Sequence, residues 1–409
     1  MALELLQTLP DSPARSQHEL ALQVALGVPL TATKSFAAPD VGKVWMRARE
    51  LCEQMGDTPD LFPTLWGLWA FYITRAEHKT ARELGEQLLH LAQSQHDSAL
   101  LLEAHYAMGF TLFHLGELAP GRTHLEHGTA LYDSEQHQAL AFSYGSFDPG
   151  VACLHFAAED LWILGFPEQG LKTSHEALTL ARELSHPNSL AFALYFVAML
   201  HQFRGEGLAA QDRAEVFIAL STEQGFPFTL AEGTILRGWA LAQQGQEVEG
   251  LRQLREGLAD RQAMGAEVFQ SYLLALLAET YGKGRQVEEG LSTVTEALVF
   301  VERTEERYYE AELYRLQGEL TLQESKVESH RSQVEEEAEE CFQKAIDVAR
   351  HQQAKSWELR AATSLARLWQ QQGQQEEARA LLAPVHNWFT EGFDTADLKD
   401  AKALLEELA

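Results

Sequence analysis

Small residues recur along this chain at a nearly constant interval, and that interval limits the folds open to it. Ala81, Gly121, Gly170, Ala210, Gly250, Gly290, Ala338 and Ala378 stand 40, 49, 40, 40, 40, 48 and 40 residues apart. Twelve residues ahead of most of them runs a second series: Trp69, Gly109, Ala158, Ala198, Gly238, Ala278 and Ala366. Around each pair the pattern reads helix, short turn, helix. A unit that repeats this way stacks on its neighbours, so the chain grows by addition and needs no single large core.

Small residues at two fixed positions, twelve apart, are what the tetratricopeptide arrangement uses to bring its two antiparallel helices into close contact. The usual period is about 34 residues, so each unit here carries roughly six extra residues of helix. Large residues follow the register. Ala338, Phe342 and Ala345 form a small–large–small set, and Leu277, Ala278 and Tyr281 precede Gly290, Val294 and Ala297. Spacings of three and four place each set on one helical face. The reading is an all-α, right-handed tetratricopeptide-like superhelix over residues 1–409, with about nine antiparallel helix pairs, a C-terminal capping helix at 394–408, and nineteen principal helices in all. The first pair is weaker, with Pro13 to Gly27 as its first helix and Val41, Trp45 and Ala48 in its second.

Turn signals agree with this phase. Gly116-Glu117, Gly165-Phe166-Pro167, Gly205-Glu206-Gly207, Gly245-Gln246 and Gly373-Gln374 fall between the first (A) and second (B) helix of a unit, where a helix ends on glycine. The two long intervals locate insertions. One lies at 133–147, between repeats. The other lies at 324–333 (ESKVESHRSQ), within a repeat, and its polar composition predicts a mobile, solvated loop. Asp148-Pro149-Gly150, just after the first insertion, predicts an N-cap followed by proline at the first helical position.

Thirty-two Lys and Arg against sixty Asp and Glu give a net charge of −28, which argues against a nucleic-acid groove. The longest apolar stretch, Leu61 to Ile73, is interrupted by Pro63, Thr64 and Gly67 and is too short for a bilayer. Cys52, Cys153 and Cys341 have no metal-like spacing and suit a reducing compartment. No signal peptide is legible at the start. These features predict a soluble, cytoplasmic protein with neither nucleic-acid nor membrane partners.

The wording of the repeats carries a resemblance. EAELYRLQGELTL (310–322), FTLAEGTILRGWALAQQGQ (228–246), LALLAETYGKGRQVEEGL (274–291) and WFTEGFDTADLKDAKALLEEL (388–408) resemble the C-terminal tetratricopeptide region of bacterial ATPase–adenylate cyclase proteins. LFPTLWGLWAFY (61–72) and FDPGVACL (147–154) extend the resemblance over nearly the whole chain. It implies a sensor or protein-interaction module belonging to an AAA- or STAND-type signalling ATPase. The cyclase and ATPase domains of that family have no counterpart in these residues, so their activities do not transfer to this chain.

Motifs for chemistry are missing. There is no GxxxxGK[ST] loop, HExxH, CxxC or GxSxG, and Gly282-Lys283-Gly284 lacks the upstream glycine and the hydroxyl of a phosphate loop. His124 and His127 could hold a metal given a third ligand, though a solvated helix face explains them as well. The reading is therefore no catalytic residues, no metal and no cofactor. A binding site has to come from the concave surface, lined by the A helices. The expected groove contacts are Trp66, Tyr106, Phe110, His155, Glu159, Trp162, Tyr195, Met199 and Trp239, aromatic side chains interleaved with a carboxylate. Such a surface suits a protein or peptide partner, or a small organic ligand. The same spacing equally suits packing of the rings against neighbouring A helices. From Glu279 onward the face turns charged, with Glu312, Arg315, Glu319, Arg360 and Arg367, and is expected to contribute little.

Without a phosphate cradle and its metal-holding carboxylates, the purified chain should not turn over ATP. Saturable, magnesium-dependent hydrolysis that persists through successive purification steps would contradict this.

Overall fold

A computed structural model of the chain describes residues 2–8, 10–56, 58–144, 147–324 and 331–409. Every regular element among these residues is an α-helix. After a short α1 (Ala2–Gln7), nine antiparallel pairs follow. They are α2/α3 (Pro13–Lys34, Pro39–Met55), α4/α5 (Leu61–Thr74, His78–Gln95), α6/α7 (Ser98–His114, Leu118–Leu131), α10/α11 (Pro149–Ile163, Pro167–Glu183) and α12/α13 (Pro187–Phe203, Gly207–Gln224). Then come α14/α15 (Pro227–Gln243, Glu247–Ala263), α16/α17 (Gln270–Lys283, Val287–Thr304), α18/α19 (Glu310–Glu324, Arg331–His351) and α20/α21 (Lys355–Gln371, Gln375–His386). α22 (Ala396–Glu407) packs on the last pair through Leu398, Ala401 and Leu404. Setting aside α1 and two four-residue helices, α8 (Ser134–His137) and α9 (Leu140–Ser143), nineteen principal helices remain among the described residues.

Seven of the A–B turns among the described residues, from α4/α5 onward, are closed the same way. The A helix ends on a residue of positive φ, a glycine at 116, 165, 205, 245 and 373, with φ between 71° and 97°. The N–H immediately after it reaches back to a carbonyl five residues earlier: Glu117 to Leu112 at 2.9 Å, Phe166 to Leu161 at 2.8 Å, Gln246 to Leu241 at 3.0 Å. This is the Schellman closure, and it fixes the reversal that lets B pack back on A. The two small series meet in that packing. A methyl group on Gly250 would lie 2.5 Å from the Gly238 carbonyl oxygen, and one on Gly170 would lie 2.7 Å from that of Ala158.

B helices are amphipathic, whereas the middle A helices are buried nearly all round: Phe156, Leu194, Tyr195, Phe196, Ile235, Leu273 and Leu276 are at most 3% exposed. The reason is superhelical. The C-terminal carbonyls of early A helices have no intrahelical partner, and the chain supplies one five repeats later. Thr74 O accepts from the N–H groups of Glu267 and Val268 at 2.9 and 3.1 Å. His114 O accepts from Arg307 N at 2.7 Å, and Trp162 O accepts from Ser356 Oγ at 2.5 Å. Phe203 O, four repeats before its donor, accepts from the Arg360 guanidinium. The superhelix thus closes on itself after one turn, with α4, α6 and α10 seated against the starts of α16, α18 and α20.

Three local expectations need amending. α2 runs past Gly27 to Lys34, because Trp45 lies across Gly27 and the α2/α3 pairing continues beyond it. α22 begins behind Thr395 rather than Asp394, with Thr395 Oγ1 tied to Gly392 O at 2.7 Å. Within 133–147, residues 134–143 hold α8 and α9. The loop expected at 324–333 falls largely on 325–330, outside the described residues. Asp148 caps α10 as its sequence implies, accepting from Val151 N at 3.0 Å, with Pro149 next.

Gly250→Ala should lower stability by about 1–3 kcal/mol, since helix backbones face the new methyl and cannot yield as a side chain would. Urea denaturation would measure it. The same change at Gly225, where nothing lies within 4 Å but φ is +69°, should cost about 1–2 kcal/mol from backbone strain alone.

Candidate functional site

The concave face has two parts that the fold treats differently. In the first, all nine residues expected to line a groove are buried: Trp66, Tyr106, Phe110, His155, Glu159, Trp162, Tyr195, Met199 and Trp239 are each no more than 8% exposed. Their rings meet each other and also meet rings delivered by the next superhelical turn. Phe269 stands 6.2 Å from Phe110 and 6.5 Å from Tyr195, centroid to centroid. Tyr308 lies 4.5 Å from Phe113, and Trp357 lies 4.8 Å from Trp162. The expected open groove is corrected here. The chain fills it with its own aromatics, because closure after five repeats brings the starts of α16, α18 and α20 onto the axis.

These plugging residues were not singled out from the sequence, yet a signal was present. Phe269, Tyr308 and Trp357 stand 39 and 49 residues apart, within one residue of the repeat spacing and its insertion. An aromatic column at the B-to-A junction, confined to the last repeats, marks the face that docks on the first turn.

Burial governs the polar groups in this part. Trp66 Nε1 donates to Glu103 Oε2 at 3.0 Å. Burial pushes the Glu103 carboxyl up to about 8, against the lowering effect of that hydrogen bond. Glu232 is raised to about 7 by burial, opposed by its ion pair with Arg261. Burial holds Glu159 well above the carboxylate range and lowers His155 to about 3. Neither Glu159 oxygen has a hydrogen-bond partner among the described residues, and the same holds for the hydroxyls of Tyr195, Tyr272 and Tyr308.

The second part is open. Past Trp239 the axis holds a pocket of about 220 Å³, walled by five successive A helices and closed by α22. Trp239 is the one member of the expected set that lines it. Trp239 Nε1 and Gln243 Nε2 both donate to the Glu279 carboxylate at 2.8 Å. Arg315 forks onto Glu312 at 2.7 and 2.8 Å and reaches Glu319 at 2.7 Å. Arg360 pairs with Asp397 at 2.9 Å and lies 5.1 Å over both Trp162 and Trp357. Burial alone would raise Glu312, but Arg315 and Arg360 outweigh it and hold the carboxylate below its usual range. Arg367, half exposed and paired with Asp400, stands at the rim. The charged A helices expected to contribute little therefore build the open pocket. Charge is what keeps it open, since paired ions cannot interdigitate as rings do.

His124 and His127 gain a third imidazole. His105 Nδ1 lies 3.1 Å from His124 Nδ1, and its ring centroid is 5.2 Å from that of His127. Cys52 and Cys153 are buried, and none of the three cysteines forms a disulfide. No described helix is long and apolar enough to cross a membrane.

No protein-family model matches the chain, and no curated protein matches it in sequence. Its shape does have counterparts. A Rap protein crystallised with Competence and Sporulation Factor superposes with a TM-score of 0.60 at 12% identity, over 96% of this chain and 99% of that one. The apo form of the quorum sensor NprR from B. thuringiensis gives 0.51 at 13% identity, over 92% and 99%. A STAND protein with a tetratricopeptide repeat sensor from Pyrococcus horikoshii superposes less well, with a TM-score of 0.40 at 12% identity over 91% of this chain and 55% of that one. At these identities the likeness is one of fold: an all-helical, tetratricopeptide-like superhelix.

Because Glu103 binds its proton more tightly folded than unfolded, the protein should lose stability as pH rises from about 4.5 to about 8. Glu103→Gln keeps an acceptor for Trp66 and removes the titration. Its denaturation midpoint should fall less steeply over that range and exceed the wild type's at pH 8. Parallel pH profiles for the two proteins would refute the assignment.

Proposed function

We propose that this chain is a non-catalytic repeat scaffold that binds a short peptide in the charged axial pocket bounded by Trp239, Glu279, Glu319, Arg367 and Asp400. The carrying observation is that the axis is filled by aromatic rings along its first part and remains accessible only past Trp239, among paired charges of both signs. At about 220 Å³ the pocket is smaller than the roughly 300–1,000 Å³ that encloses a whole drug-sized ligand. It suits the end of an extended chain, whose terminal charge exchanges for one partner of an existing ion pair. A peptide terminus fits that exchange better than an uncharged organic molecule does. The Rap protein crystallised with Competence and Sporulation Factor and the quorum sensor NprR share this fold, which supports a signal-binding reading by analogy.

The remaining aromatics of the expected set act from behind, holding the A helices that present the pocket. Following the resemblance of the repeats, we place the scaffold as the sensor or interaction module of a signalling ATPase or cyclase. Three cysteines without a disulfide support a reducing, cytoplasmic setting. A peptide that bound between the last A helices and α22 would change how those elements sit on the first superhelical turn, and so bias an attached domain.

The test is a titration of a library of short, unmodified peptides, followed by tryptophan fluorescence, since Trp239 sits in the pocket wall. Arg367→Glu should weaken the best binder about tenfold or more, the scale of one charge-assisted hydrogen bond. Unchanged affinity in this variant, with its fold intact by circular dichroism, would remove the pocket from consideration.

A further inference from the structure

Three buried groups outside the pocket have no assigned role. His78 opens α5, His114 closes α6, and Glu306 lies in the turn between α17 and α18, five repeats further on. All three side chains are fully buried. His114 Nδ1 lies 3.4 Å from Glu306 Oε2, His78 Nε2 lies 3.9 Å from the same oxygen, and one ligand atom from each falls within 4.8 Å of the others. Yet His78 Nε2 and both His114 nitrogens have no hydrogen-bond partner among the described residues. Two imidazoles and a carboxylate converge, with His114 near enough to Glu306 to favour its ionised form and His78 short of hydrogen-bonding distance.

We propose that His78, His114 and Glu306 form a binding site for one divalent first-row transition-metal ion of the zinc class, clamping the first superhelical turn to the second. Four observations carry it. Ligand atoms about 2.0–2.1 Å from a tetrahedral ion lie about 3.4 Å from one another, which the His114–Glu306 separation matches and the His78–Glu306 separation approaches. His78 is already oriented as a ligand. Its Nδ1 lies 2.9 Å from Thr304 O, which fixes the proton on that nitrogen and leaves the Nε2 lone pair facing the carboxylate. A metal-bound imidazole is held in this manner by a carbonyl behind it.

Glu306, in turn, is held as a carboxylate. Its two oxygens accept from Phe269 N at 2.7 Å and from Ser271 N and Oγ at 2.9 and 2.6 Å. A buried carboxylate with three donors still carries its charge into an apolar surround, where Phe110 and Phe269 each stand 4.6 Å from the His114 ring. A cation on the facing imidazoles neutralises it. The two nitrogens select against magnesium and calcium, which take oxygen ligands. Finally, the site lies just beneath the surface. Lys79, Leu115, Glu305 and Arg307, each next in sequence to a ligand, line a surface cleft of about 830 Å³, although the three ligands themselves are covered.

The test uses the full chain, stripped with a chelator and then equilibrated with zinc. Elemental analysis should find one zinc per chain after dialysis, and the melting temperature should rise with added zinc, because the ion binds a site absent from the unfolded state. Cobalt in place of zinc should give the visible absorption of a low-coordinate site. His78→Ala should weaken binding by more than the roughly 10–100-fold that loss of an outer partner costs. Glu306→Gln, which keeps an acceptor for Ser271 and Phe269, should do the same if His78→Ala fails to fold. His124→Ala, at a part-buried position in the imidazole cluster with His105 and His127, should leave the stoichiometry at one. Absence of stoichiometric zinc in the wild type, or a bound zinc that survives His78→Ala and is lost in His124→Ala, overturns the proposal.

Discussion

The return of the chain onto itself after five repeats is the contact on which the rest of the structure depends. A helix end buried without partners for its last carbonyls is unstable, and the early A helices end inside the molecule. Thr74, His114, Trp162 and Phe203 each leave a carbonyl there, and each is met by a donor from the following superhelical turn. The donors come from the turns that precede α16 and α18 and from the first residues of α20, so the pitch of the superhelix is tied to the hydrogen bonding of its own first turn. An open superhelix with the same repeats would leave these groups to solvent and its concave rings exposed.

Closure decides what the aromatic residues do. Rings on consecutive A helices at forty-residue intervals could equally have lined a ligand groove, and nothing local distinguishes the two uses. Phe269, Tyr308 and Trp357 settle the matter by occupying that space. The interior they make is not purely apolar. Glu103 bonds to Trp66, Glu232 to Arg261, and Glu306 to Ser271, so buried acidic groups are distributed along the axis and each leans on a specific partner. Glu159 and the hydroxyls of Tyr195, Tyr272 and Tyr308 lack such partners among the described residues, which makes this stretch of the interior energetically expensive.

Where rings give way to ions, the axis opens. Arg315 and Arg360 both lean on Glu312, and Trp239 shares Glu279 with Gln243. Such pairs hold fixed geometry and keep side chains from collapsing into the centre. The pocket is thus a consequence of where the charged residues begin in the repeat series. Specificity for a charged ligand would follow from exchange of partners among groups already held in place, at little cost in ordering.

Repeat phase, helix count and turn positions were legible in the sequence, because they rest on local rules. Two small residues twelve apart must meet when a helix pair closes, and glycine after the A helix must take positive φ, as Gly116 and Gly245 do. Asp148 before Pro149 reads as a cap for the same kind of reason. The number of repeats per superhelical turn is not a local property. It follows from small rotations between neighbours, summed over five units, and no single residue encodes it. That sum alone determined that Trp66 to Met199 would be interior, that Glu279 to Arg367 would face the opening, and that His78 and His114 would find Glu306, respectively 228 and 192 positions further along the chain.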